Sequence, residues 1–237
     1  MEPLRYVIAT VVTFLLALSW LRLNDYLAHR GVISGLLSRK IIHIGTGPIF
    51  VLCWLLFPVA SLSRYLAALV PLAITIQFFL VGTGAIKDQA AVDAMSRSGD
   101  RREILRGPLF YGIVFVLLTI IYWYDSPVGI VALMLLCGGD GLADIIGSRF
   151  DSLSLPWSGR KSMAGSVAMF VGGWFFATAM LAIFVSLGKF SGPFSNYIGG
   201  ISLIALVGAI VESLPFKDID NITVPAVAVV LGHFWLP

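Results

Sequence analysis

Charge is scarce in this chain. Only 12% of its 237 residues are Asp, Glu, Lys or Arg, against about 25% in soluble domains, which excludes an ordinary water-soluble globule. Cysteine is almost absent: Cys53 and Cys137 both lie in apolar runs, which excludes a disulfide scaffold and predicts buried thiols. Internal repeats, low-complexity tracts and linkers are missing, and the length leaves no room for a separate soluble domain, so residues 1–237 are expected to form a single membrane-embedded domain. Neither a cleavable signal nor an Arg/Ser-rich transit peptide is read at the N-terminus, and Arg22 and Arg30 behind the first apolar run suggest an uncleaved signal-anchor. The net charge is only +3, and no nucleic-acid partner is expected. What the chain does have is apolar: 58% hydrophobic residues, a mean hydropathy of +0.94, and several runs of about 18 residues or more, long enough to cross a bilayer.

The expected architecture is all-α, a polytopic membrane helical bundle of seven or eight spans. The runs are 4–21, 41–58, 62–82, 108–124, 127–147, 163–188, 197–214 and 222–236. The last is short and flanked by Pro225 and Pro237. With the N-terminus outside, the cytoplasmic loops collect Arg22 to Lys40, Lys87 to Arg106, Arg149 to Lys161, and Lys217. Together they hold thirteen of the 16 Lys and Arg, the bias that sets orientation in membranes. The longest polar stretch, 83–107, is expected to hold a short helix from Ala90 to Met95, broken at Ser98-Gly99. Its Arg101, Arg102 and Arg106 are explained either by topology or by anionic headgroups and phosphate.

The fifth run does not stay apolar. It continues into Cys137-Gly-Gly-Asp-Gly-Leu-Ala-Asp144, and places Asp140 and Asp144 four residues apart on one helical face. A carboxylate at membrane depth costs roughly 2.5 to 3.5 kcal/mol on insertion scales, which makes it a functional candidate. Gly138, Gly139, Gly141 and Gly147 permit close approach of a backbone or a ligand, and Arg149, Arg160 and Lys161 follow at once. One such acid would be read as a helix-packing hydrogen bond or part of an ion path. Two acids at helical spacing beside a basic loop favour a metal–phosphate site at the membrane surface. Two further clusters fall on the same side. Lys40 and His43 are helical neighbours behind Arg39, and Glu212, Asp220 and Asn221 surround a proline break, offering the oxygen ligands that a hard cation such as Mg²⁺ takes.

These residues resemble the polyprenol kinase family, within it the phytol/farnesol kinase branch. The resemblance lies in Arg39-Lys40-Ile-Ile-His43, Gly139-Asp-Gly-Leu-Ala-Asp144 with Gly147, and Leu155-Pro-Trp157 followed by Lys161-Ser-Met-Ala-Gly-Ser-Val-Ala-Met169. It continues in Glu212-Ser-Leu-Pro215 with Asp220-Asn221-Ile-Thr-Val-Pro225. It runs from about residue 38 to 232. The loop before Lys161 departs from the pattern, because relatives often carry more Asn and Lys there. By resemblance the chain is an integral membrane enzyme that phosphorylates the hydroxyl of phytol, geranylgeraniol or farnesol with CTP, in a bacterial-type inner or thylakoid membrane, and phytol kinases feed tocopherol synthesis.

The implied site assigns Asp140, Asp144 and Lys161 to catalysis. Asp140, Asp144, Glu212, Asp220 and Asn221 are the metal candidates. Arg39, Lys40, His43, Gly139, Gly141, Arg160, Ser162, Gly165 and Ser166 are the nucleotide-binding candidates. Asp144 is the preferred general base. A second resemblance supplies the rival: phosphatidate cytidylyltransferases are also polytopic and CTP- and Mg²⁺-dependent, and Lys217-Asp218-Ile-Asp220 is similar to their C-terminal signature. Here, however, that segment runs on to Pro225-Ala-Val-Ala instead of Pro-Gly-His-Gly-Gly. An ion transporter using the same acids fits less well, because the outer halves of the spans are nearly devoid of charge.

Overall fold

A computed structural model describes residues 2–96, 98–215 and 219–237, with the side chains at 2, 159 and 160 outside the described set. The chain divides into two compact units, Met1–Ile120 and Ile121–Pro237, and each is described by itself.

The first unit holds α1 (Glu2–His29), α2 (Gly35–Cys53), α3 (Ser61–Thr83), the short α4 (Gln89–Met95) and α5 (Gly107–Ile121). α1 packs against α2 and α3. The α1 helix runs past its apolar stretch to His29, and in these polar last turns Asn24 Nδ2 donates back to the Trp20 carbonyl at 2.8 Å. Ser34 caps α2 by accepting the Leu37 N–H. Gly84, at φ +84°, closes α3 in a left-handed turn. The polar stretch beyond it folds on a small apolar cluster of Val81, Val92 and Ile104. Asp88 caps α4 and Asp100 caps the 3₁₀ turn at Arg101–Leu105. The expected short helix is therefore present, one residue longer at its start.

In the second unit, α6 (Val128–Met134), a π-helical turn (Leu135–Asp140) and α7 (Gly141–Arg149) follow one another. Ile130 to Cys137 are wholly buried. A two-stranded antiparallel hairpin, β1 (Ser154–Leu155) and β2 (Ser158–Ser162), leads into α8 (Met163–Ser186). α9 (Ser195–Glu212) and α10 (Asp220–Trp235) complete the unit. α8 lies along the π turn and α7, α9 along α8, and α10 along α9 and α6. Small residues set the approach of α8 to α7 and to the π turn: a Cβ on Gly147 would meet the Gly165 Cα at 3.2 Å, and one on Gly172 would meet the Gly138 carbonyl at 2.7 Å.

Seven helical stretches among the described residues are long and apolar enough to cross a membrane: Pro3–His29, Gly35–Leu56, Ser61–Thr83, Arg101–Ile121, Val128–Arg149, Met163–Ser186 and Ser195–Glu212. Many expose apolar side chains, such as Leu4, Ile8, Leu15, Leu69, Ile76 and Phe175. Exposed apolar helix faces of this kind are at home in lipid, and the protein is a polytopic helical membrane protein. The eighth expected run does form a helix, but α10 has only 16 residues. That gives it about 24 Å of rise, short of the roughly 30 Å hydrocarbon core.

Candidate active site

The carboxylates that converge in the second unit come from three elements. Asp140 ends the π turn, Glu212 ends α9 and Asp220 begins α10. Oxygen atoms of all three lie within 4.8 Å of one another. Glu212 is 3% exposed, and the other two are half-buried. A carboxylate at a helix C-terminus faces the negative end of the dipole, and burial adds a desolvation cost. Glu212 thus sits where neither helix stability nor packing would place it.

The counter-charge comes from the hairpin. The Lys161 ammonium on β2 donates to Glu212 Oε1 and, at 3.1 Å, to Asp220 Oδ2. Burial works against its charge, but the Glu212, Asp220 and Asp140 carboxylates outweigh that penalty and hold its pKa above the usual lysine value. Fully ionised, three carboxylates and one ammonium leave two negative charges, which a divalent cation would neutralise. The donor set is all oxygen and clustered, as a hard cation requires, so the residues fit Mg²⁺.

The remaining candidates lie on several elements. Asp144 lies one turn beyond Asp140 in α7, half-buried, and is not among the three clustered acids. Asn221 follows Asp220 in the first turn of α10. Ser162 caps α8: its Oγ accepts the Gly165 N–H at 3.3 Å and donates to the Gly147 carbonyl at 3.5 Å. Gly165 packs on α7, and a Cβ on Gly139 would meet Met169 Sδ at 2.8 Å. These glycines are approached by a neighbouring helix. Gly141 is buried where α7 begins. Ser166 Oγ is buried and makes no hydrogen bond to the described residues. The Arg160 side chain lies outside the described residues, as do Lys217 and Asp218.

Arg39, Lys40 and His43 belong to the first unit, partly buried on α2. Tyr111 of α5 stacks at a tilt on the His43 ring, 4.5 Å between centroids, and its hydroxyl donates to the His43 carbonyl at 2.9 Å.

Two features of the site were not visible in the sequence. One is the π turn that ends on Asp140; such turns recur at functional sites, and the Gly138-Gly139 pair was the available hint of a weakened α register. The other is Ser213, whose hydroxyl accepts the Trp157 indole N–H at 3.2 Å.

No family model matches the chain, and no solved structure matches it. Curated proteins do. The chain is 40% identical over 219 residues to a probable phytol kinase, chloroplastic, of Triticum aestivum, covering 92% of this chain and 73% of that one. It is 40% identical over 232 residues to probable phytol kinase 3, chloroplastic, of Glycine max, covering 97% and 72%. It is 36% identical over 211 residues to phytol kinase 1, chloroplastic, of Arabidopsis thaliana, covering 88% and 69%.

Proposed function

The chain belongs to the phytol kinase branch of the polyprenol kinase family, and from that premise we propose that it transfers the γ-phosphoryl group of CTP to phytol or a similar isoprenoid alcohol. The observation that carries this reading is the cluster of Asp140, Glu212 and Asp220 around Lys161 in a chain with seven helical stretches long and apolar enough to cross a membrane among its described residues. A water-soluble donor and a lipid-soluble acceptor call for that combination.

Asp140, Glu212 and Asp220 would hold Mg²⁺, with Asn221 adjacent. Such an ion, when bound, neutralises charge on the donor phosphates. Lys161 then turns its ammonium from the carboxylates toward phosphate oxygen, acting as a point charge. The alcohol oxygen attacks the γ-phosphorus in line. The bond between that phosphorus and the bridging oxygen breaks, CDP leaves, and the hydroxyl proton passes to a base. Asp144, outside the three-acid cluster yet one turn along the same helix, takes that role. The isoprenoid chain stays among apolar helices, with only its hydroxyl at the polar boundary. The monophosphate would serve prenyl-lipid synthesis such as that of tocopherol, and a thylakoid or bacterial-type inner membrane suits the enzyme.

The test is label transfer in nanodiscs, with phytol, Mg²⁺ and CTP labelled at the γ or the α phosphate. Label from γ alone is expected in phytyl monophosphate; farnesol, geranylgeraniol and other nucleotides then set specificity. Label from α appearing in a CDP-lipid, with phosphatidic acid supplied, would overturn the kinase reading in favour of cytidylyl transfer.

A further inference from the structure

The hairpin that carries Lys161 is held at both ends of β2 by two adjacent residues at the end of α9. At one end Lys161 pairs with Glu212. At the other, Trp157 precedes β2, and its indole Nε1–H donates to Ser213 Oγ at 3.2 Å. Ser213 is buried, 4% exposed, and its own hydroxyl proton goes to the Ile210 carbonyl at 2.7 Å. That donation turns the oxygen's lone pairs toward the indole. Trp157 as a residue is 56% exposed, so it is not a core side chain that happens to find a partner. Pro156 beside it presets the turn between Leu155 and Ser158.

We infer that the Trp157–Ser213 hydrogen bond is a latch, and that Trp157 and Ser213 are positioning residues which keep Lys161 at the acidic cluster. The latch matters because the Lys161 pairs are the ones a cation and a phosphate would displace. If they were the hairpin's only tie to α9, the hairpin would be released at the moment the ammonium changes partner. Ser213 neighbours Glu212 in the chain but takes no part in the cluster, so its bond to Trp157 survives the exchange. The functional half of this inference rests on the proposed nucleotide chemistry; the structural half does not.

Trp157→Phe keeps a ring and removes the N–H, Ser213→Ala removes the acceptor, and Ser213→Thr restores a hydroxyl. Hydrogen exchange of the amides from 154 to 162 is measured in nanodiscs without nucleotide, beside kcat and KM for CTP and for phytol. One neutral hydrogen bond corresponds to about two- to tenfold. Exchange of the hairpin amides should rise by that factor in Trp157→Phe and in Ser213→Ala, and no further in the double variant, with Ser213→Thr near wild type. KM for CTP should rise in step while KM for phytol holds. Wild-type exchange in both single variants, additive effects in the double variant, or faster exchange throughout the second unit would overturn the latch. A wild-type protein that turns over no nucleotide would defeat the functional reading, while the exchange comparison would still decide the latch.

Discussion

Replacing Glu212 by Gln removes one charge and almost no volume from the acidic cluster. The amide oxygen can still accept from Lys161, and Asp220 and Asp140 remain to compensate the ammonium. The usual loss of about 3–5 kcal/mol on breaking a buried pair applies where a charge is left alone. It does not apply here, and stability should change by no more than about 1 kcal/mol. The cost falls on the cation. At about 4 Å and an effective dielectric near 20, unit charges interact by about 4 kcal/mol, most of which offsets desolvation. A surviving difference of about 1.4–2.7 kcal/mol corresponds to a 10- to 100-fold weaker metal site. The assay is a Mg²⁺ titration of phosphoryl transfer, with Mn²⁺ binding followed by its EPR signal on the same nanodiscs. Both midpoints should move up by that factor in Glu212→Gln while the melting temperature holds. Unchanged Mn²⁺ binding in folded protein would refute the assignment of Glu212 to the cation.

Three further substitutions probe neighbouring parts of the site. Asp140→Asn should reduce transfer by about a thousandfold or more, roughly 4 kcal/mol of barrier, in protein whose thermal unfolding is unchanged; near-normal turnover would remove Asp140 from the site. Lys161→Ala should raise the KM for CTP and leave that for phytol alone, and equal rises in both would place the lysine outside nucleotide binding. Gly139→Ala, whose new methyl would meet Met169 Sδ at 2.8 Å and the Met169 carbonyl at 3.1 Å, should cost about 1–3 kcal/mol by overpacking, read as a lower melting temperature in detergent.

Seven of the eight apolar runs became helices of spanning length because a transmembrane helix is written in composition over about twenty residues, and nothing else satisfies the backbone there. The eighth is short, since α10 stops at 16 residues, but Pro225, expected to flank it, lies inside the helix, and only Pro237 lies beyond its end. The β-hairpin was not foreseen, since Ser154–Leu155 and Ser158–Ser162 are too short to show alternation. The glycines were read with the right property and an open choice of neighbour. They do admit close approach, and at Gly139, Gly147 and Gly165 the approaching group is another helix.

The site itself shows where local spacing stops being informative. Asp140 and Asp144 are an obvious pair by the helical period, yet the close partners of Asp140 are Glu212 and Asp220, more than seventy residues away in the chain. Periodicity places residues on a face only while the helix keeps its step. A π turn inserts one residue into the ladder and rotates the remainder of the helix by about 100°; this one ends on Asp140, so the face that Asp140 and Asp144 share is turned relative to the apolar run before it. The preceding segment, buried on every side from Ile130 to Cys137, has no polar face from which the phase could be read. Glu212 and Asp220 were recognisable one by one as oxygen donors around a proline break. Their convergence on Asp140 depends on how α9, α10 and the π turn pack, which no short stretch of sequence encodes. Among the clustered groups, Lys161 was the one whose local context already named its use, a base following two acids by one short loop. Its position on a hairpin that meets the end of α9 through Trp157–Ser213 and Lys161–Glu212 then explains how a residue outside the helices reaches the cluster.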